Sequence, residues 1–534
     1  MTMSLSQTGQ SVTVGRLTFP LLSVASALIV FAVLQALVLR ITGGVFEYPL
    51  DDPYIHLALA ETIARGGYGV NLGDVSSPGS SALFPLLLVP FSGTELHRYL
   101  PLLWNVVGMG ATAWLWGRLL AEAGYRQAGW HWLGLAAALL GPIAVMIPMV
   151  GYVGMEHTLH AAAAMAVILG LYRHFDGRSG LVLICAGAFL GTALRIEGAA
   201  LALLAAGALF FTGERRAGVT VAALGLLPLV LFAGLLVSLG LDPLPSSVQS
   251  KLAHGTSDAP GFLARRLSVV ANNLVPAAGK FVLILAIAAL IVWRAAPTIR
   301  SGRWSAFAAV VVLAAAAHLA AGQIGWLNRY EHYILVATAA GLLAMLPKAF
   351  GAPGPGWIAT GAVALVVLGG FITYRIPLLF HLLPPAARAI HLQQGQMSTF
   401  VKDHWQGPVA VNDLGLVSWQ NDAYVLDLWG LASSEAREIR LTNATPGWAG
   451  DLTDKYDVPV AMVYDHWFGD GLGDDWVKLG SLDLTVPGGF LGGHKVAFYA
   501  TDPAAVDDLR SAVAGWTPTL LPGTEFNWAE GMAP

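Results

Sequence analysis

Apolar runs follow one another from Leu17 to Tyr374, and they constrain this chain more than any other feature. A helix needs roughly 20 mostly apolar residues to cross a bilayer. Runs near that length occupy residues 17–41, 100–120, 130–149, 158–172, 180–194, 199–211, 218–239, 269–293, 304–324, 333–346 and 356–374. They predict about 11 transmembrane helices, an all-α polytopic membrane domain over residues 1–383. The apolar stretch at 81–91 is too short to cross and suits an interfacial or re-entrant segment. The run at 17–41 is too long for the core of a signal peptide and reads as a retained span. Only 12% of the 534 residues are charged, against about 25% in soluble domains. A net charge of -4 gives no basic stripe and excludes a nucleic-acid partner. The single Cys185 cannot form an intrachain disulfide.

Lys and Arg set the expected orientation, because cytoplasmic loops carry the excess of positive charge. With the N-terminus in the cytoplasm, the inner segments hold Arg16, Arg118, Arg126, Arg173, Arg178, Arg215, Arg216, Arg294, Arg300, Arg303 and Lys348. Arg40 and the stretch with Lys251, Arg265, Arg266 and Lys280 are outer exceptions. An odd number of spans then puts the C-terminal part outside. Five polar motifs share that outer face: Asp-Asp-Pro-Tyr-Ile-His from Asp51, Gly-Met-Glu-His from Gly154, Arg-Ile-Glu-Gly from Arg195, Pro-Ser-Ser-Val-Gln-Ser-Lys from Pro245, and Arg-Tyr-Glu-His from Arg329. Their convergence implies one site.

From Pro384 the character becomes that of a soluble α/β domain, residues 384–534. Strands are expected at 409–413, 423–428, 458–464 and 495–500, and a helix at 433–441.

The first outer loop, residues 42–98, carries the sharpest motif. Asp52-Pro53 is a helix-start signal, since Asp can cap free N–H groups and Pro suits the first helical position. Ile55, Leu59 and Ile63 share one face of the predicted helix, which Gly66-Gly67 can end, so it is expected to lie amphipathically at the membrane surface. Capping would occupy Asp52 and leave Asp51 the freer carboxylate. On the blander reading Asp52 is a cap alone and Asp51 is merely solvated.

These residues, Asp51 to Asp74 with the Ser-Ser-Pro-Gly-Ser-Ser that follows, resemble the GT-C superfamily of glycosyltransferases. The likeness is nearest to bacterial members of the arabinofuranosyltransferase and mannosyltransferase type, and extends to the motifs at Gly154, Arg195, Pro245 and Arg329. It departs from the usual pattern at Pro53, His157, Ile196 and Ser246-Ser247. The resemblance implies a multi-pass protein of the bacterial inner membrane that transfers a hexose or pentose from a polyprenyl-phosphate donor, with inversion. The acceptor would be a hydroxyl of a cell-envelope glycan, lipid or protein on the outer face. Asp51 and Asp52 would be the catalytic pair, one of them the general base.

The remaining charges have two readings each. Arg195 and Glu197 sit at the end of a span, where charge is costly and usually functional. Two residues apart on a helix they would not face each other, so Arg195 is expected to seek a phosphate; snorkelling to lipid headgroups is the alternative. Glu156 and His160 are spaced to share a helix face as a structural pair. With His56 they leave a divalent cation open, though their spacing matches no strong metal signature. Lys251 and Arg329 are further phosphate ligands on this reading, with His56, Glu156 and His332 lining the substrate. The many Trp and Tyr residues are expected in membrane-interface belts. A transporter or flippase of lipid-linked sugars is the competing reading, but it should place charges near the bilayer midplane or show repeated broken helices.

Overall fold

The computed structural model describes residues 15–127, 129–254, 261–351, 377–442 and 444–534, apart from the side chains of 251–254. Up to Gly351 the chain is helical: α1 (Thr18–Ile41), α2 (Asp52–Ala64), α3 (Phe84–Leu88), α4 (Leu100–Ala123), α5 (His131–Ala144), α6 (Ile147–Tyr152), α7 (His157–Phe175) and α8 (Leu181–Leu194). There follow α9 (Gly198–Phe211), α10 (Arg215–Ser238), α11 (Ser246–His254), α12 (Phe262–Asn273), α13 (Ala277–Ala295), α14 (Gly302–Ala321) and α15 (His332–Phe350). Among the described residues α1, α10, α13, α14 and α15 are long and apolar enough to cross a membrane, and α5, α8 and α9 are apolar but shorter. The expected span at 356–374 lies outside the described residues. Ile29, Val230, Leu231, Ile284 and Ile291 are exposed along these helices, a distribution that suits lipid tails and is unusual against water.

Two expected spans are broken, for local reasons. The run at 130–149 divides into α5 and α6 because Met146 is left-handed, at φ 63°, and Pro148 begins the next helix. The run at 269–293 starts inside α12 and breaks before Pro276, whose ring cannot continue a helix by donating an N–H. Asn273 holds that break by donating from Nδ2 to the carbonyls of Leu319 and Gly322, both at 2.9 Å.

A helical run over residues 377–405 leads into the C-terminal domain. Its six-stranded sheet comprises β1 (Val409–Val411), β2 (Val425–Asp427), β3 (Val460–Val463), β4 (Val477–Leu484), β5 (Lys495–Ala500) and β6 (Thr524–Trp528), in the order β2-β1-β3-β5-β4-β6. β1 pairs parallel with both β2 and β3, and the other pairs are antiparallel. The four expected strands and the expected helix, here Ser434–Thr442, are present. Strands β4 and β6 were not expected. A register shift between Lys478 and Gly480 interrupts the alternation of β4 and hides its period.

α2 is where the two parts meet. Every residue from Pro53 to Thr62 is buried, so the helix is enclosed and not an amphipathic surface helix. The segment after β1 covers it. Gln420 donates its backbone N–H to Glu61 Oε2 at 2.9 Å, and Trp419 donates from Nε1 to His97 Nδ1 at 3.1 Å. Asn71 pairs with both backbone groups of Val425, at 2.9 Å each, and so closes the edge of the sheet at β2. Removing a buried acceptor leaves its donor unpaired, which costs about 1–3 kcal/mol. Glu61→Ala is therefore expected to lower stability by about that amount, read as a lower Tm of the full chain in detergent; an unchanged Tm would show that this contact does not hold the two parts together.

Candidate functional site

The polar residues that the motifs carry are set at helix ends. Asp51 immediately precedes α2 and Asp52 begins it; Glu156, Glu197 and Glu331 are the N-cap residues of α7, α9 and α15. A carboxylate beside a helix N-terminus meets the positive end of the helix dipole. Gly154 allows this packing: at φ +79° it is left-handed, and a Cβ there would collide with the Tyr48 ring and lie 2.9 Å from Pro53.

These ends surround one cavity of about 370 Å³. From the membrane-embedded part it is lined by Asp51, Asp52, His56, Arg195, Ser250 and Arg329, and from the C-terminal domain by Asn412, Asp413, Trp429 and Trp467. Three of the five motifs thus reach it directly through residues singled out in the sequence, at Asp51, Arg195 and Arg329, and the motif from Pro245 reaches it through Ser247 and Ser250. The fifth, at Gly154, contributes Met155 and His157.

Arg195 is buried and both its terminal nitrogens are engaged, while its Nε has no hydrogen-bond partner among the described residues. Nη1 donates to Glu156 Oε1 at 2.7 Å, to His157 Nε2 at 3.1 Å and to Ser80 Oγ at 3.3 Å; Nη2 donates to Glu197 Oε1 at 2.7 Å. The expectation that Arg195 and Glu197 could not pair fails because α8 stops at Leu194 and Arg195 is extended, at φ -153° and ψ 137°. Helical spacing does not apply to them. Glu156 and His160 do not form the expected pair either: Glu156 goes to Arg195, and the His160 ring stacks on Tyr333 with centroids 4.2 Å apart.

Arg329 is different. Its Nη2 donates to Asp52 Oδ1 at 2.9 Å and to the Tyr330 hydroxyl at 3.0 Å. Its Nε and Nη1 are buried and have no hydrogen-bond partner among the described residues. The Tyr330 ring lies near both guanidinium groups, 5.0 Å from Arg329 and 5.6 Å from Arg195. The approach to Arg329 is a run of three left-handed residues, Trp326, Leu327 and Asn328. Glu331 closes this loop by accepting the Gly325 N–H at 2.9 Å.

The two aspartates exchange their expected places. Neither side chain caps α2. Asp51 accepts the backbone N–H groups of Gly415, at 2.6 Å, and Leu416, at 2.9 Å, so both its oxygens are held by the C-terminal domain. A side chain at Gly415 would collide with Asp51. Asp52 is the more open carboxylate, 36% exposed in its side chain. A third acid, Asp413, joins them from the end of β1 and accepts from Gln394 at 2.9 Å and the Tyr464 hydroxyl at 3.1 Å.

Burial is the main force raising the Asp51 carboxyl above the ordinary range, the Asp413 charge adds to it, and the Leu416 and Gly415 N–H groups oppose it. Burial also raises Asp413, against the Tyr464 and Gln394 hydrogen bonds. The His56 imidazole, with Nε2 3.9 Å from Glu156 Oε2, is pushed below its ordinary value by burial, which the Glu156 and Asp52 charges oppose. Among the described residues no group of three or more His, Cys, Asp and Glu is arranged to hold a metal ion.

Of the other expected ligands, Glu156 and Glu197 reach the cavity through Arg195, and His332 is buried inside α15 without lining it. Lys251 lies in α11 with its side chain outside the described residues. The contribution of the C-terminal domain was missed. Trp326, Trp429 and Trp467 line the cavity.

Residues 387–499 match a protein family described as a domain of unknown function (DUF8728). No curated protein matches the chain.

The acid pair gives a pH dependence with a definite sign. An acid that keeps its proton longer in the folded chain than in the unfolded chain loses folded-state stability as pH rises from its ordinary value, 3.8 here, through the higher folded value. Asp413→Asn removes one charge from the pair. Its Tm is expected to fall less steeply than that of the wild type as pH rises over this window. An equal or steeper fall would mean that the two charges do not oppose each other.

Proposed function

We propose that this chain is an integral-membrane glycosyltransferase that takes a sugar from a polyprenyl-phosphate donor and passes it to an acceptor hydroxyl on the outer face of a bacterial cytoplasmic membrane. The observation that carries this reading is the pair formed by Arg329, with two buried donor nitrogens unsatisfied, and the partly open Asp52 beside it. A buried guanidinium with donor nitrogens left unsatisfied is a costly arrangement unless a ligand completes it. Phosphate fits, because its oxygens match the planar fork of Arg. The apolar helices bring a lipid-borne phosphate to that depth.

The chemistry follows from the contacts. Phosphate binding draws Arg329 away from Asp52, whose carboxylate then regains basicity. Asp52 takes the proton of the acceptor hydroxyl as the oxygen attacks the anomeric carbon. The bond from that carbon to the phosphate oxygen breaks, and the electron pair leaves with the polyprenyl phosphate. Attack opposite to the leaving group inverts the anomeric centre. Asp51 serves as the joint to the C-terminal domain, which reverses the division of labour expected from the helix-start signal. Arg195, neutralised by Glu156 and Glu197, holds the ends of α8 and α9 in position, and the phosphate role passes to Arg329. The reading includes about 11 spans, a cytoplasmic N-terminus and an outer C-terminal domain.

Purified full-length chain, in lipid nanodiscs with a panel of polyprenyl-phosphate sugars and of mono- and disaccharide acceptors, is expected to release polyprenyl phosphate. Asp52→Asn should lower turnover by about 10²–10⁴-fold, and should also lower Tm because it takes a carboxylate from the buried Arg329. Arg329→Ala should weaken the donor's KM more than Arg329→Lys, which keeps the charge. Full turnover in Asp52→Asn would remove it as the base. Movement of the intact lipid-linked sugar between leaflets, without cleavage, would favour the flippase.

A further inference from the structure

The C-terminal domain presents to the cavity the ends of its three parallel strands. Asn412 and Asp413 follow β1, the loop carrying Trp429 follows β2, and Trp467 lies a few residues beyond β3. The chain passes from β1 to β2 on one side and returns across β1 to place β3 on the other. In open sheets with parallel strands, a crevice outside the carboxyl ends, where strand order reverses, is the usual ligand position.

The two tryptophans are built for exposure to a ligand. Trp448 and Trp516, also in this domain, are fully packed core residues at 3% and 0% exposure; Trp429 and Trp467 are only partly buried. Their ring centroids are 4.4 Å apart with the planes inclined at 46°. Trp429 is fixed from behind. The Asp427 carboxylate accepts the N–H groups of Trp429, Gly430 and Ala432 at 2.7–3.1 Å, and the Arg440 guanidinium lies 3.8 Å from the Trp429 ring centroid without lining the cavity. Asp413 is fixed by Tyr464 and Gln394.

We infer that Trp429 and Trp467, with Asn412 and Asp413, form a binding subsite for a sugar ring of the acceptor, so that the acceptor is a glycan. A sugar ring has an apolar C–H face for an aromatic surface and a rim of hydroxyls for an amide and a carboxylate, and this wall offers both. A prenyl or acyl chain would take water from the polar atoms of Asn412 and Asp413 that their contacts with Tyr464 and Gln394 leave over, and would give no hydrogen bond in return. The donor's phosphate belongs with Arg329 on the membrane-embedded side, which leaves the aqueous-domain wall to the acceptor. Naming the ring as the acceptor's rests on the glycosyltransferase reading; that a sugar ring binds here does not.

The test is saturation-transfer NMR on full-length chain in nanodiscs, with methyl glycosides and disaccharides of mannose, glucose, galactose and arabinofuranose as probes. At least one probe should receive saturation at its ring C–H protons. Trp429→Ala and Trp467→Ala should each weaken its binding by roughly three- to tenfold. Trp429→Phe, which keeps an aromatic face, should restore most of it, and this guards against a misfolded alanine variant. Trp132→Ala, exposed on α5 far from the lining residues, should bind as wild type. Absence of transfer to every probe, or unchanged binding in both alanine variants, would overturn the inference. Tryptophan-dependent sugar binding without donor cleavage would keep the subsite and discard the transferase; donor cleavage with sugar binding indifferent to the two tryptophans would do the reverse.

Discussion

The carboxylate of Asp51 accepting two backbone N–H groups from Gly415 and Leu416 is the contact on which the rest of the site depends. It ties the start of α2 to the segment just beyond β1. Asp52 follows Asp51 directly in the chain, and Asp413 precedes Gly415 by two residues. One joint therefore fixes the positions of all three acids at once. Because a glycine is needed for the approach, the joint is specified on both sides of the interface. Contacts of Glu61, His97 and Asn71 with the C-terminal domain hold the two parts together elsewhere, and the Asp51 joint sets their register at the cavity.

Buried charge explains how the membrane side of the cavity keeps its shape. An isolated guanidinium at that depth would be strongly disfavoured, and pairing restores stability only when the geometry is good. Arg195 has two carboxylates, both at 2.7 Å and both N-cap residues of neighbouring helices. It therefore locks the N-terminal ends of α7 and α9 to the C-terminal end of α8. Arg329 has one carboxylate and spare donors, on a loop with three successive left-handed residues. Such backbone is disfavoured for residues other than glycine and persists where its surroundings impose it. The Glu331 contact to Gly325 supplies that constraint. One arginine is thus spent on structure, and the other is held ready for a ligand.

The helical part was legible because lipid-crossing runs need little more than length and apolarity to be recognised. Where reading failed, a local backbone choice had changed the geometry. Arg195 and Glu197 pair because one helix ends at Leu194, before both of them, and the next begins after Glu197. Asp51 and Asp52 exchanged places because the partner of Asp51 lies more than 360 residues away, which no local capping argument can reveal. The same distance hid Asp413, Trp429 and Trp467. A signal for them did exist: Asp413 ends an expected strand, and Trp429 and Trp467 lie just beyond the carboxyl ends of two others. It becomes a site only once the parallel pairing of β1 with β2 and β3 is known.

The size of the cavity bears on what it can hold. At about 370 Å³ it is near the lower end of small-molecule sites, which run from roughly 300 to 1,000 Å³. That is room for a sugar phosphate and part of a second ring, and too little for a polyprenyl chain or an extended glycan. Only the reacting ends can enter together. For the proposed transferase, the lipid tail would stay among the exposed apolar faces of the helices, and the body of the acceptor would remain in water. A cavity bounded on one side by helix ends and on the other by strand ends meets that requirement. The border between the two parts of the chain is then also the border between the two phases that the substrates come from.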